Sequence, residues 1–186
     1  MIRKFLFILL LLLPACVLPA SARQPHKGYR GFLEWSNSVT REPGLYGNET
    51  LWFTGGSTSH GYQIDNMWFV GAGLSVEYNN NWDCWQVPLF VEGRTDFKFG
   101  MFTPFADVRL GYSLTDGGGV YFAPSVGYRF NWGRKMGVNV GVGLEVKGYK
   151  LDVYNVSNTN GYYELEYLGS ERHAKAELSL RVGIDF

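Results

Sequence analysis

Apolar side chains alternate with polar or small ones along most of the chain, and the pattern recurs stretch after stretch. The last nine residues show it plainly. Leu178, Leu180, Val182, Ile184 and Phe186 alternate with Ser179, Arg181, Gly183 and Asp185. Successive side chains of an extended backbone point to opposite faces, so a period of two predicts a strand with one apolar and one polar face. The same reading predicts seven earlier strands, at about 29–37, 50–62, 68–78, 85–97, 105–114, 121–131 and 137–151. The second is blurred over Gly55, Gly56, Ser57 and Thr58, which leaves its register open. Short turns near 63–66, 98–103 and 132–136 separate some strands, and 38–49 and 152–172 read as long polar loops. The connections near 79–84 and 115–119 are shorter, the latter marked by Asp116-Gly117-Gly118-Gly119. Pro88 and Pro124 fall inside strands, where each predicts a bulge or a lost ladder bond.

Eight strands suffice to close a barrel whose interior side chains just fill. Alternation does not say which face is inside, because a soluble carrier barrel is apolar within and a membrane barrel is apolar without. Aromatics on the apolar face decide it, since they collect near strand ends: Tyr29, Trp68, Phe97, Phe130 and Phe186 towards one rim, and Trp35, Tyr78, Trp85, Tyr112 and Phe122 towards the other. Two such girdles suit two membrane interfaces. The polar face carries Arg30, Arg94, Arg109, Arg129, Lys147, Lys175 and Arg181 against Glu34, Glu77, Glu92, Asp96, Asp107, Glu145, Glu177 and Asp185. Seven cations against eight anions can pair within a narrow lumen as a structural charge network. Paired glycines such as Gly71/Gly73 and Gly141/Gly143 leave room there for Arg and Glu chains. The predicted fold class is all-β, an eight-stranded antiparallel transmembrane β-barrel.

Met1-Ile2-Arg3-Lys4, the apolar run Phe5 to Leu13 and the small-x-small site Ala20-Ser21-Ala22 read as a secretory signal peptide over 1–22. A short leader, 23–27, then precedes the barrel at 28–186. The run is too short for a membrane-crossing helix, which needs ~20 residues. Removing Arg3 and Lys4 leaves 15 basic against 17 acidic residues, a net of −2, and no electrostatic case for nucleic acid. Of two cysteines, Cys16 lies in the signal region, so Cys84 has no partner for a disulfide. Leu13-Pro14-Ala15-Cys16 fits a lipoprotein cleavage box badly because of its proline.

Gly28-Tyr29-Arg30-Gly31-Phe32, Phe105 to Tyr112, Ser125 to Phe130 and Val182-Gly183-Ile184-Asp185-Phe186 resemble the small outer-membrane β-barrel domain family of Gram-negative bacteria, with OmpA/OmpX-like architecture. The resemblance spans the mature chain and implies location in the outer membrane, with both termini at the periplasmic rim. It implies that the closing strand, through Leu178, Leu180, Val182, Ile184 and Phe186, is an assembly signal read by the barrel-assembly machinery. Outer-membrane lipid is the other implied partner, together with an unidentified extracellular ligand.

Activity is far less legible. Barrels of this size include lipid A-modifying enzymes that use Ser and His, for which His60 with Ser57 or Ser59, and His173, are the candidates. No assembled triad is readable, and no catalytic residue, cofactor or metal ligand is assigned; Asn158-Thr159-Asn160-Gly161 lacks the carboxylates of a calcium loop. The expected function is a structural or surface-interaction role through external loops, where Arg41-Glu42-Pro43 and Tyr162 to Glu171 supply charge and aromatic surface. A narrow porin-like pore is the alternative, followed by a lipid A-modifying enzyme and a soluble lipocalin-like carrier.

Overall fold

The computed structural model describes residues 27–44, 47–80, 84–97, 100–115, 118–132, 136–159 and 162–186. The expected signal peptide, 1–22, and all but Lys27 of the expected leader lie outside the described residues. Nine strand segments follow in order: β1 Gly28–Gly44, β2 Gly47–Gln63, β3 Trp68–Asn79, β4 Cys84–Gln86, β5 Pro88–Asp96, β6 Phe102–Ser113, β7 Gly119–Trp132, β8 Met136–Thr159 and β9 Tyr162–Asp185. β4 and β5 both pair with β3 and form one barrel strand, interrupted at Val87 where Pro88 has no N–H to give. Thr115 repairs the break, its Oγ1 accepting from the Val87 N–H at 3.0 Å.

Each strand pairs antiparallel with its neighbour, and β9 pairs with β1, so the sheet closes into a ring of eight. The registers fix its shape. Following partners once round, Gly28–Gln63–Phe69–Arg94–Asp107–Ser125–Gly143–Ser179 leads back to β1 at Ser38, ten residues above Gly28. A stagger of ten over eight strands, at ~3.3 Å rise and ~4.8 Å spacing, tilts the strands by roughly 40°. Ten residues then climb about 25 Å, the height of the apolar band on a membrane barrel. Outward aromatics keep that interval on four strands: Tyr62 and Trp52, Trp68 and Tyr78, Phe102 and Tyr112, Trp132 and Phe122. Between them the outer face is aliphatic, with Val91, Leu110, Val126, Val142 and Leu178 all more than half exposed.

Four expectations change. The 38–49 loop is ordered ladder, since β1 and β2 stay paired to Gly44↔Gly47 and Leu51 turns fully inward. The 152–172 loop is likewise a hairpin, paired to Thr159↔Tyr162. Val153, Tyr154, Val156, Tyr163, Leu165 and Tyr167 are strand formers flanking Asn160-Gly161, and the interleaved polar residues hid that signal. A register shift between Val153 and Tyr154 falls opposite Gly169, whose φ of +138° suits a bulge that only glycine adopts freely. Trp35 is not a rim residue: it pairs with Gly56 and Val182, six residues above Tyr29, in the middle of the band. Gly71 and Gly73 make room for rings rather than charges; a Cβ on them would meet Phe69 at 2.6 Å and Phe90 at 2.8 Å. At Pro124 the β7–β8 ladder lapses and then resumes in the same register, so a rung is lost without a bulge.

The band's position gives a direct check. Val142, half exposed on the outer face near mid-height, becomes a charge facing hydrocarbon when changed to Arg. Val142→Arg should cost about 2–4 kcal/mol in reversible denaturant unfolding from lipid vesicles. A negligible change would mean that this face does not meet lipid.

Candidate functional site

The lumen concentrates the chain's ionisable chemistry. Because every second residue points inward, Arg30, Glu34, Glu77, Glu92, Arg94, Asp96, Asp107, Arg109, Arg129, Glu145, Lys147, Lys175, Glu177, Arg181 and Asp185 are all buried there. They fall into three ionic layers.

Nearest the end holding both termini, Asp185 binds Arg129 and accepts from Arg30 Nε at 3.2 Å and Asn139 Nδ2 at 3.3 Å. Arg30 also reaches Asp96 at 2.8 Å and Gln63 Oε1 at 2.7 Å, while Arg94 donates to Asp96 and Asn139. The middle layer joins Arg109 to Glu34 and, at 3.5 Å, to Glu92. There Arg181 meets Asp107 at 2.7 Å, and Asp107 accepts from Ser125 Oγ. In the far layer Lys147 serves Glu77, Glu145 at 3.0 Å and Glu177 at 2.9 Å. Ser75 and Ser38 donate to Glu77 and Glu177.

Many of these bonds cross the lumen. β1 and β6 face each other across the ring, as do β3 and β8, so Arg109–Glu34 and Lys147–Glu77 span its full diameter. Rings fill the gaps between layers. Arg30 and Arg94 lie 4.7 and 4.8 Å from the Phe32 centroid, Arg94 lies 3.6 Å from Phe105, and Arg109 lies 4.8 Å from Phe90. Lys147 and Lys175 sit 5.0 and 4.9 Å from Phe53. A cation over a ring face gains electrostatic attraction without a counter-charge.

These inward aromatics, with Tyr121, are the site residues that the hydrophobic pattern obscured, because an apolar side chain reads as outward. Parity could have found them: Phe32 shares a face with Arg30 and Glu34, and Phe90 with Glu92 and Arg94.

The expected assembly-signal residues lie outside, with Leu178, Leu180, Val182, Ile184 and Phe186 between 40 and 60 % exposed. Phe186 is nevertheless seated. Its backbone exchanges hydrogen bonds with Gly31, at 2.9 and 3.0 Å, and its ring meets His60 edge-on at 6.4 Å. A Cβ on Gly31 would lie 2.8 Å from that ring, so glycine makes the seat. His60 is held in turn: Tyr29 O–H donates to Nδ1 at 2.6 Å, and Nε2 lies 3.1 Å from a Thr58 hydroxyl that itself donates to Phe32 O. One neutral tautomer, protonated at Nε2, satisfies the chain.

This geometry separates His60 from its proposed serines. His60 points outward whereas Ser57 and Ser59 are buried inside, so no Ser–His pair forms. His173 is exposed on β9 beyond the far rim. At the terminal rim Asp65 caps a turn, and the Met67 and Trp68 N–H groups, each 2.7 Å from Oδ1, hold its carboxyl below the usual range.

The outer membrane protein beta-barrel domain matches residues 8–186. The chain belongs to this family. It is therefore an outer-membrane protein, and the closed eight-stranded barrel is its membrane-spanning body. Among solved structures it is similar to Neisserial surface protein A, with a TM-score of 0.58 and 12% identity over 90% of this chain and 98% of that one. The de novo designed TMB2.3 also aligns, with a TM-score of 0.41 and 14% identity over 86% and 94%. No curated protein sequence matches the chain.

Two outcomes test the site. Lys147→Met strands three buried carboxylates and should lower stability by about 3–5 kcal/mol, with partial recovery on adding Glu77→Gln. Deleting Phe186, or unseating it with Gly31→Val, should reduce the fraction that reaches the heat-modifiable folded form in membranes. Normal insertion of both would remove Phe186 from assembly.

Proposed function

We propose that this is a non-enzymatic, non-conducting barrel whose working surface is the pair of hairpins raised beyond the far rim. One observation carries the reading. β8 and β9 remain paired to Thr159↔Tyr162, whereas β7 leaves β8 at Tyr121↔Lys147 and β1 leaves β9 at Val39↔Leu178. The hairpin therefore continues well past the last rung it shares with the ring. β1 and β2 run on to Gly44↔Gly47 beside it. Strands this long exceed what crossing the band needs, roughly 10 residues at this tilt. With the termini periplasmic, the surplus stands outside the cell, where exposed strand hairpins serve recognition. Within the lumen, bonds across the full diameter in two layers oppose a water path, which supports display over transport.

Purified protein in planar bilayers should show no steady conductance, and lipid A from expressing cells should keep its acylation pattern. Replacing residues 152–170 by Asn-Gly should leave the barrel folded and remove the protease-sensitive surface from intact cells. Stepwise conductance would substitute a pore for this reading, and altered acylation would substitute an enzyme.

A further inference from the structure

Four strands outrun the ring at the far end, so β1, β2, β8 and β9 each present one strand edge there, beyond the last rung shared with a neighbour. Backbone alternation says which residues face those edges. Gly31 and Phe186 exchange both hydrogen bonds, so odd residues of β1 and even residues of β9 turn towards their common seam. Carried across the β8–β9 register, odd residues of β8 bond to β9 and even ones turn away from it. Three of the four edges are blunted. On β1 the outward positions are Arg41 and Pro43, and Pro43 has no N–H. On β2 they are only Asn48 and Thr50. On β9, Thr40 Oγ1 donates to Ala176 O at 2.9 Å, and the register shift opposite Val153 and Tyr154 breaks the row.

β8 keeps its edge whole. The extra residue at the shift, Leu168, lies in β9, so β8 alternates without interruption through Lys150, Asp152, Tyr154, Val156 and Asn158. The backbone N–H and C=O groups of these residues line one side over about 26 Å. No backbone hydrogen bond joins them to another described residue. The neighbouring connection is too short to cover them. β7 meets β8 backbone to backbone where Gly119 lies against Gly148, and only residues 114–118 separate Gly119 from the end of β6 at Ser113. An unguarded edge of this length is a template for one more strand.

Charge decides what kind of strand. Residues 40–50 and 148–172 hold the surplus of the four strands, and there three basic residues stand against six acidic ones, a net of −3. A second copy would bring the same acidic excess, and lipid phosphates are anionic too, so both meet repulsion. A basic segment meets attraction. Resting on the display reading above, we infer that the open edge of β8 takes up an extended, basic segment of a partner protein as an added strand. Main-chain hydrogen bonds to the even residues of β8 supply the affinity, and the acidic surroundings select the partner's charge. The recognition is therefore tolerant of side-chain identity and strict about an extended backbone with free N–H groups.

The test is fluorescence anisotropy with the full-length mature barrel in zwitterionic nanodiscs and a labelled nonapeptide of alternating Lys and Val. This probe should bind, less tightly as salt rises, and an alternating Glu and Val nonapeptide should not. Methylating every amide nitrogen of the probe should abolish binding, whereas methylating every second one leaves one edge intact and should not. Val156→Pro removes one outward N–H of β8 and should weaken binding about fivefold, the loss of one hydrogen bond. Val156→Thr keeps that N–H and should bind as wild type. Heat-modifiable migration certifies folding, and Asn158→Pro replaces Val156→Pro if that variant fails it. Binding that survives full methylation or ignores the proline overturns the edge; if replacing 152–170 by Asn-Gly still abolishes it, hairpin display stands. Failure of the probe to bind also overturns the proposal. So does a dimer in native mass spectrometry that Val156→Pro dissolves, which assigns the edge to a second copy. Conductance or altered lipid A would instead overturn the display reading itself.

Discussion

The hydrocarbon around this protein offers no hydrogen bonds, and each feature of the fold answers to that. An open sheet edge inside the band would strand N–H and C=O groups at several kcal/mol each, so β9 must return to β1. Closure fixes the stagger, the stagger fixes the tilt, and the tilt sets how many residues cross the band. The ten-residue spacing of outward aromatics on β2, β3, β6 and β7 is thus a geometric consequence of Gly28 leading round to Ser38. Pro88 and Pro124 are tolerated because the ladder resumes on each side and one side-chain hydroxyl covers the exposed group at Val87.

Inside, the problem is reversed. A narrow lumen excludes most water, so each charge sent inward must find opposite charge or a ring face. The layers achieve this unequally. Asp185 receives three donors, and Lys147 is shared by three glutamates. Removing the lysine therefore harms more than removing one acid. Connections across the diameter also make the interior a brace: they tie β1 to β6 and β3 to β8, which the ladder alone never brings together.

Much of this was legible because period-two alternation survives any tertiary context that keeps one face in lipid. Strand count, closure and all fifteen inward charges followed from parity and from the low affinity of hydrocarbon for ions. What failed to show had physical causes. Phe32, Phe53, Phe69, Phe90 and Phe105 are apolar yet inward, and only their phase relative to nearby charges betrays them. The extensions of β1, β2, β8 and β9 stand beyond the band, where neither face must be apolar, so the pattern fades while the pairing continues. In β2, Thr54, Gly56 and Thr58 are neither clearly polar nor clearly apolar, and the register came only from its neighbours.

The last two residues of the chain occupy both environments at once. Asp185 is fully buried among Arg30, Arg129 and Asn139, and Phe186 lies outside on Gly31 and His60. Arg30 and Gly31 are adjacent in β1, so one dipeptide of the closing strand meets one dipeptide of the opening strand on both faces of the wall. Strand alternation therefore sets the acid in the lumen and the ring on the lipid side in consecutive residues of the same seam. The β9–β1 seam is thus held from both faces, by ion pairs to Asp185 within and by the Gly31 seat of Phe186 without.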